Sequence, residues 1–206
     1  MSIILLLLRL PILVVHILVG LFTILFFPKE PKNFKSSHYR IMMLWMNILS
    51  SILGIKVDIR GIPDQSANLF VSNHVTYLDI IIINKLLPVN FIAKEEISSW
   101  PVIGRLASKT GTLFIKRGDN VESSKMIYEM EERFKLQNKI VFFPEGKIGN
   151  GKRVRKFHYK LFKSIENKEL YIQPIAIRYP IEYPVNNNYS EIISDKSLKG
   201  EMFSLY

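Results

Sequence analysis

The chain has 206 residues, enough for one domain with a sizeable core and too few for two full domains. It combines a formal net charge of +10 with a hydrophobic share of 48%, which is typical of proteins that work at a membrane surface. No zinc-finger spacing or aromatic RNA-binding signature occurs, so no nucleic acid is expected as a partner. The absence of cysteine excludes disulfides, thiolate metal sites and cysteine nucleophiles.

Residues 1–55 predict a hydrophobic membrane anchor of two helices. Residues 3–27 are almost wholly apolar and run on without a small-residue cleavage site, so they predict a retained helix. Such a helix is long enough to cross a bilayer core of about 30 Å, although Arg9 and Pro11 favour a kinked or half-inserted one. The second apolar stretch, 41–55, is too short to span. We prefer a two-helix anchor in one leaflet; a single span and a soluble core are the alternatives.

The two apolar stretches are joined by a basic connector that includes Lys29, Lys32, Lys35 and Arg40. Cations that flank membrane segments favour the cytoplasmic side and attract anionic phospholipids. The connector therefore predicts attachment to membrane phospholipids at the cytoplasmic face of the inner membrane.

Residues 56–206 predict an α/β domain with a mixed central sheet flanked by helices, because short β-type runs alternate with helical patterns. The predicted strands are 56–60, 68–72, 90–93, 112–116, 139–143 and 171–177. Apolar residues at helical spacing predict a helix over 121–136. The last twenty or so residues have few apolar positions and predict a loosely packed tail.

A histidine and an aspartate five residues apart, His74 and Asp79, follow the strand predicted at 68–72. In one straight helix they would lie about 140° apart, so they can meet only across a turn. Thr76 and Asp79 resemble a capping box, which places His74 in the loop before a helix. Asp79 could then accept from one imidazole nitrogen and leave the other as a base. The alternative is a structural pair, in which Asp79 only caps the helix.

Glu145 and Gly146 form a second candidate site after the strand predicted at 139–143, which Pro144 ends. The carboxyl edge of the sheet, where they are expected, is where α/β proteins bind ligands. Residues 146–165 carry seven cations and no carboxylate. This indicates either an ordinary solvated surface or a site for a phosphate or an anionic membrane.

Competing kinds of site fit the sequence less well. Residues 146–152 match G-x-x-x-x-G-K of a phosphate-binding loop, but Arg153 stands where serine or threonine would hold magnesium. No G-x-S-x-G elbow occurs, and the other histidines lack metal-ligand spacing. We therefore predict no nucleotide hydrolysis, no serine nucleophile and no metal.

Four segments together resemble the motif blocks of the glycerolipid acyltransferases, most closely the 1-acylglycerol-3-phosphate acyltransferases. The blocks are N-H-x-x-x-x-D at 73–79, a β run ending in arginine at 111–117, F-P-E-G at 143–146, and a proline-containing run at 173–177. Their order and spacing match, and the resemblance covers about residues 35–180.

The resemblance implies that His74 is the general base and that Asp79 orients it. It implies transfer of an acyl chain from acyl-CoA or acyl-carrier protein to lysophosphatidate, with no cofactor. The predicted substrate-binding residues are Asn73, Arg117, Glu145, Gly146, Lys147 and Arg153.

One departure from the family pattern bears on the acceptor. The family usually continues F-P-E-G with threonine and arginine, whereas this chain has Lys147 and Ile148. Lys147, Arg153 or Arg155 could replace the missing phosphate-binding cation. Another lysolipid as acceptor and a catalytically silent lipid-binding homologue are the alternatives.

Overall fold

The computed structural model describes residues 3–28, 34–116, 120–149, 153, 155–179 and 203–205. Its α-helices are α1 (Ile3–Thr23), α2 (Ser36–Ile52), α3 (Leu78–Leu86), α4 (Ile103–Lys109) and α5 (Asn120–Lys135). Short 3₁₀ helices lie at Ile24–Phe26, Glu95–Ser99 and Lys160–Ile165. The strands are β1 (Ile59–Arg60), β2 (Ala67–Ser72), β3 (Val89–Lys94), β4 (Leu113–Ile115), β5 (Lys139–Phe142), β6 (Tyr171–Ile177) and β7 (Phe203–Leu205).

The strands form one sheet in the order β1-β7-β6-β2-β5-β3-β4. All neighbouring strands are parallel except β1 and β7, so the sheet is mixed with a parallel centre, and the predicted α/β fold is confirmed. The six predicted strands are present, and the first shrinks from 56–60 to Ile59–Arg60. Strand β7 lies within the predicted loose tail and was not predicted, while residues 180–202 and 206 lie outside the described residues. Its pairing with β1 and β6 depends on distant backbone groups that a short local sequence does not reveal.

The central strands are buried on both faces, which explains their nearly continuous apolar sequences. Phe70 and Val141 lie in the core that α3 covers, and Leu69 and Ile140 lie in the core that α5 covers. None of these four side chains is exposed at all. The parallel centre of the sheet is thus fixed between two helical layers, and the carboxyl ends of β2, β5 and β6 open at one edge.

Helix α1 packs against α2 through the few polar or small residues in its apolar sequence. His16 Nε2 lies 3.1 Å from the Trp45 carbonyl, and Trp45 Nε1 donates to the His16 carbonyl at 3.2 Å. A Cβ atom at Gly20 would lie 2.7 Å from the Trp45 indole, so glycine permits this close approach. A Cβ atom at Gly54, two residues after α2, would likewise lie 2.7 Å from the Arg9 guanidinium. Residues 9, 16 and 20 share one helical face, so the polar groups meet protein.

Helix α2 is also tied to the α/β domain. It packs on α3, and Tyr39 donates to Asn90 at 2.9 Å and to Asn138 at 3.1 Å. Lys85 on α3 donates to Ser50 at 3.2 Å. The division of the chain at residue 55 stays a prediction. Lys29 and Lys32 of the predicted basic connector lie outside the described residues.

Candidate active site

His74 and Asp79 form a hydrogen-bonded pair at the carboxyl end of β2. His74 lies in the loop before α3, and its Nδ1 is 2.7 Å from Asp79 Oδ2. The same oxygen accepts the N–H groups of Val75 at 2.7 Å and Thr76 at 3.0 Å. Asp79 is fully buried. One carboxylate oxygen therefore holds the turn before α3 and also contacts the imidazole, so a structural part for Asp79 and its bond to His74 occur together.

The capping box predicted for Thr76 and Asp79 is only half formed. Asp79 accepts from the Thr76 N–H, as a capping box requires. The Thr76 hydroxyl, however, accepts from the N–H of Leu78 at 3.3 Å rather than from that of Asp79. The Asp79 N–H instead donates to the Thr76 carbonyl at 3.2 Å, which closes a tight turn. That turn brings His74 back over Asp79.

The imidazole of His74 is fixed in its plane but open at one nitrogen. Its ring stacks on Phe143, with centroids 4.0 Å apart and planes 13° apart. The side chain keeps 14% of its surface exposed. Among the described residues, Nε2 has no hydrogen-bond partner. With Nδ1 bonded to a carboxylate, the favoured tautomer carries its proton there and leaves Nε2 as a base.

Glu145 joins the F-P-E-G corner to the His74 loop. It is 4% exposed, and its two oxygens accept from the backbone N–H of His74 at 3.2 Å and of Arg155 at 3.0 Å. Gly146, at a φ of 67°, occupies the left-handed region that favours glycine. The Gly149 N–H donates to the His74 carbonyl at 2.7 Å. The predicted substrate residue Glu145 therefore lies beside His74 with both oxygens engaged by backbone.

Asn73 connects the first motif block to the fourth. Its side-chain amide donates to the Ile177 carbonyl at 2.9 Å and accepts from the Ile177 N–H at 2.7 Å. The carboxyl ends of β2 and β6 are thereby clamped together. Both ends of the Asn73 amide are engaged by this backbone, in a position predicted to bind substrate.

The predicted phosphate-binding cations are only partly described. Lys147 and Arg153 are exposed near the F-P-E-G corner, and no ion pair of either is found within the described part of the chain. Arg155 is exposed as well, and its backbone is held by Glu145. Arg117 lies outside the described residues. Within the described ranges, no group of three or more His, Asp or Glu side chains is arranged to hold a metal.

Tyr179 belongs to the site and was missed by sequence reasoning. Its hydroxyl donates to Asp79 Oδ1 at 2.7 Å, across 100 residues of sequence. It follows β6 by two residues, just beyond the fourth motif block. The only available signal was that position, since the parallel strands β6 and β2 end at the same edge.

An apolar chamber of about 590 Å³ lies between α1, α2, α3, α4 and β3. This volume falls within the range of about 300–1,000 Å³ that is usual for small-molecule sites. Its wall includes Ile24, Leu49, Ile81, Phe91 and Ala107. Tyr77 and Leu78, which start α3 just after the His74 loop, line it too. The chamber therefore reaches the element that carries Asp79.

The family model named Acyltransferase matches residues 55–178, which contain His74, Asp79, Glu145 and Ile177. The chain belongs to this acyltransferase family. The predicted resemblance is thus confirmed at the level of the family. Helices α1 and α2 both lie before the matched residues.

Curated relatives of the chain include proteins named for two different acceptors. The chain is 35% identical over 140 residues to the lyso-ornithine lipid O-acyltransferase of Pseudomonas aeruginosa, covering 68% of this chain and 54% of that protein. It is 31% identical over 147 residues to the 1-acyl-sn-glycerol-3-phosphate acyltransferase of Neisseria gonorrhoeae, covering 70% and 57%. The matches thus span about half the length of these relatives. No solved structure matches the chain.

Proposed function

We propose that the protein transfers an acyl chain from acyl-CoA or acyl-carrier protein to the free hydroxyl of lysophosphatidate, giving phosphatidate, without a resident cofactor. The observation that carries the proposal is the bond between His74 Nδ1 and Asp79 Oδ2, which leaves Nε2 open. Membership of the acyltransferase family and the apolar chamber beside α3 support it.

In the proposed mechanism, His74 Nε2 takes the proton of the lysolipid hydroxyl as its oxygen attacks the thioester carbonyl. The C–O ester bond forms, the C–S bond breaks, and the proton passes from the imidazolium to the leaving thiolate. Asp79 stabilises the imidazolium through Nδ1, as the aspartate of a catalytic triad does. The Phe143 ring face, stacked 4.0 Å from the imidazole, favours its cationic form further.

Lysophosphatidate is the preferred acceptor because several exposed cations lie near the F-P-E-G corner. Lys147, Arg153 and Arg155 are exposed next to a corner whose backbone Glu145 holds in place. A phosphate dianion suits several cations, and arginine can bind it with two hydrogen bonds. Arg117 is proposed to contribute on the strength of the family resemblance alone.

Lyso-ornithine lipid is the second candidate acceptor, since relatives of 35% and 36% identity carry that name. The replacement of the usual threonine and arginine by Lys147 and Ile148 also allows a different head group. An ornithine head group, however, adds an ammonium that needs an acceptor. Glu145, the buried carboxylate beside His74, already has both oxygens bonded to backbone N–H groups.

The test is acyl transfer by purified protein, with each lysolipid offered in turn with acyl-CoA or with acyl-carrier protein. Mass spectrometry of the lipid products is expected to show phosphatidate from lysophosphatidate. Product formed with lyso-ornithine lipid and not with lysophosphatidate would make lyso-ornithine lipid the acceptor instead. Tight lysolipid binding without any product, from either donor, would mean a catalytically silent lipid-binding protein.

The chamber is proposed to hold an acyl chain, which gives a prediction about chain length. Ala107→Phe adds a large side chain to the chamber wall, so acyl chains of intermediate length are expected to be favoured over long ones. The measurement is kcat/KM over a series of acyl-CoA lengths. Ser108→Phe is the control, since Ser108 is exposed and does not line the chamber. An equal change of length preference in both variants would contradict the assignment.

The proposed location is one membrane leaflet at the cytoplasmic face. Of the described helices, α1 with its 3₁₀ extension (Leu7–Phe26) is long and apolar enough to cross a membrane. We propose that it is half-inserted, because Arg9 and His16 contact α2, which itself packs on α3. Its outer face exposes Leu8, Val15 and Phe22 by more than half of their surface, as a lipid-facing helix would.

Val15→Glu is therefore expected to weaken membrane binding more than tenfold, because a carboxylate within the apolar layer costs roughly 2 kcal/mol or more. Flotation with anionic vesicles measures the bound fraction. Val121→Glu is the matched control, since both valines are 59% exposed and Val121 lies on α5. Unchanged flotation of Val15→Glu would contradict the placement of α1.

A further inference from the structure

The hydrogen bonds of Asp79 are divided unequally between its two oxygens. Oδ2 accepts from His74 Nδ1 and from the N–H groups of Val75 and Thr76, all within one short loop. Oδ1 accepts from the Tyr179 hydroxyl at 2.7 Å, the one donor to that oxygen among the described residues. Because Asp79 has no exposed surface, water cannot replace a lost donor without a change of structure.

Packing and neighbouring backbone hydrogen bonds hold Tyr179 in place. Its ring packs against the core cluster that contains Phe70 and Ile83. It lies two residues after Ile177, whose backbone the Asn73 amide holds with two hydrogen bonds. Desolvation, together with the hydrogen bond to Asp79 and its charge, raises the pKa of Tyr179 well above its usual value. The phenol therefore keeps its proton and stays a donor at any pH where an enzyme works.

We propose that Tyr179 is a positioning residue that sets the proton affinity of His74 through Asp79. Its hydroxyl draws negative charge toward Oδ1. The attraction between Oδ2 and a protonated His74 imidazole is therefore weaker. Without that donor, the buried carboxylate would be stabilised mainly by the imidazolium. His74 would then stay protonated to higher pH, so a smaller fraction of it would be the unprotonated base at neutral pH.

Tyr179→Phe tests this in the full chain, because it removes the donor and keeps the packed ring. The pH titration of His74 is followed by NMR with labelled histidine, and His74→Gln identifies the signal among the four histidines of the chain. We expect the midpoint to move to higher pH than in the wild type. Tyr171→Phe, at the start of β6 and 61% exposed, is expected to leave it unchanged. A midpoint in Tyr179→Phe equal to that of the wild type would overturn the proposal.

A second variant guards against failure of Tyr179→Phe to fold. Fluorinated tyrosine in place of Tyr179 keeps the ring and hydroxyl but donates a stronger hydrogen bond. The His74 midpoint is then expected to move to lower pH, the opposite direction, and a shift to higher pH or none would contradict the proposal.

The catalytic consequence rests on the proposed acyltransferase function. In Tyr179→Phe, kcat at neutral pH is expected to fall about tenfold, with KM little changed, and to recover as the pH rises. A loss of the same size at every pH would show a purely structural role. If the wild type transfers no acyl chain, the proposed function fails, while the titration still decides the role of Tyr179.

Discussion

His74→Ala is expected to lower kcat for acyl transfer by about 10²- to 10⁴-fold and to leave lysolipid binding within a few-fold of the wild type. The reason is geometric. Asp79 and Phe143 fix the imidazole with Nε2 free of protein partners among the described residues, so this nitrogen is the base positioned for the acceptor hydroxyl. Single-turnover kinetics with lysophosphatidate and acyl-CoA measure the chemical step, and equilibrium binding of the lysolipid is measured in parallel.

His158→Ala is the matched control for that experiment. His158 is exposed within the cation-rich residues 146–165. Its backbone N–H, which the substitution keeps, donates to the Pro144 carbonyl at 2.8 Å. Its kcat is expected to stay close to that of the wild type. If His74→Ala lost binding and turnover in equal proportion, or unfolded at a clearly lower temperature, His74 would be a structural residue.

The His74–Asp79 pair could be predicted from sequence because the contact is local. The two lie five positions apart, and a capping signal predicts the turn that brings them together. The structure adds that Oδ2 accepts both the bond that holds this turn and the bond from the imidazole. A structural pair and an oriented imidazole are therefore compatible, which the sequence could not show because it does not reveal how many donors one carboxylate oxygen accepts.

Glu145 and Tyr179 show what a sequence does not reveal about such a site. F-P-E-G placed Glu145 at the correct edge of the sheet, but the partners of its oxygens are backbone groups of two loops. Every residue except proline has a backbone N–H, so residue types do not show which N–H groups donate to Glu145. Tyr179 meets Asp79 only because β6 lies next to β2, an order that follows from packing of the whole sheet.

The apolar chamber could not be predicted from any local sequence pattern either. Several helices and a strand that are far apart in sequence form its wall, and the same apolar residues would be found in an ordinary core. For the predicted anchor, the sequence showed Arg9 as a charge within an apolar helix and so favoured a kinked or half-inserted one. The structure adds that the Arg9 guanidinium lies against Gly54, a long-range contact that no local pattern reveals.

Asp79→Asn is expected to lower kcat by about 10⁴-fold, the size of the effect that this substitution has in catalytic triads. An amide has one acceptor oxygen, whereas Asp79 uses two, for four donors in all. If the amide oxygen kept the three bonds of Oδ2, its nitrogen would face Tyr179, whose hydroxyl would have to turn and accept. The imidazole could then keep its orientation, but the negative charge that stabilises its cationic form would be gone.

The decisive measurement for Asp79→Asn is kcat together with the thermal unfolding temperature. Asp58→Asn is the control, because the side chain of Asp58 is 65% exposed in a surface pair with Arg60, where a lost charge matters little. A large loss of kcat, at an unfolding temperature close to that of the wild type, would mean that the carboxylate stabilises the imidazolium. Activity within tenfold of the wild type would leave Asp79 only a structural part, in the turn before α3. The order of effects is informative too: Asp79→Asn must cost far more than Tyr179→Phe, since the tyrosine acts only through the charge that Asp79 carries.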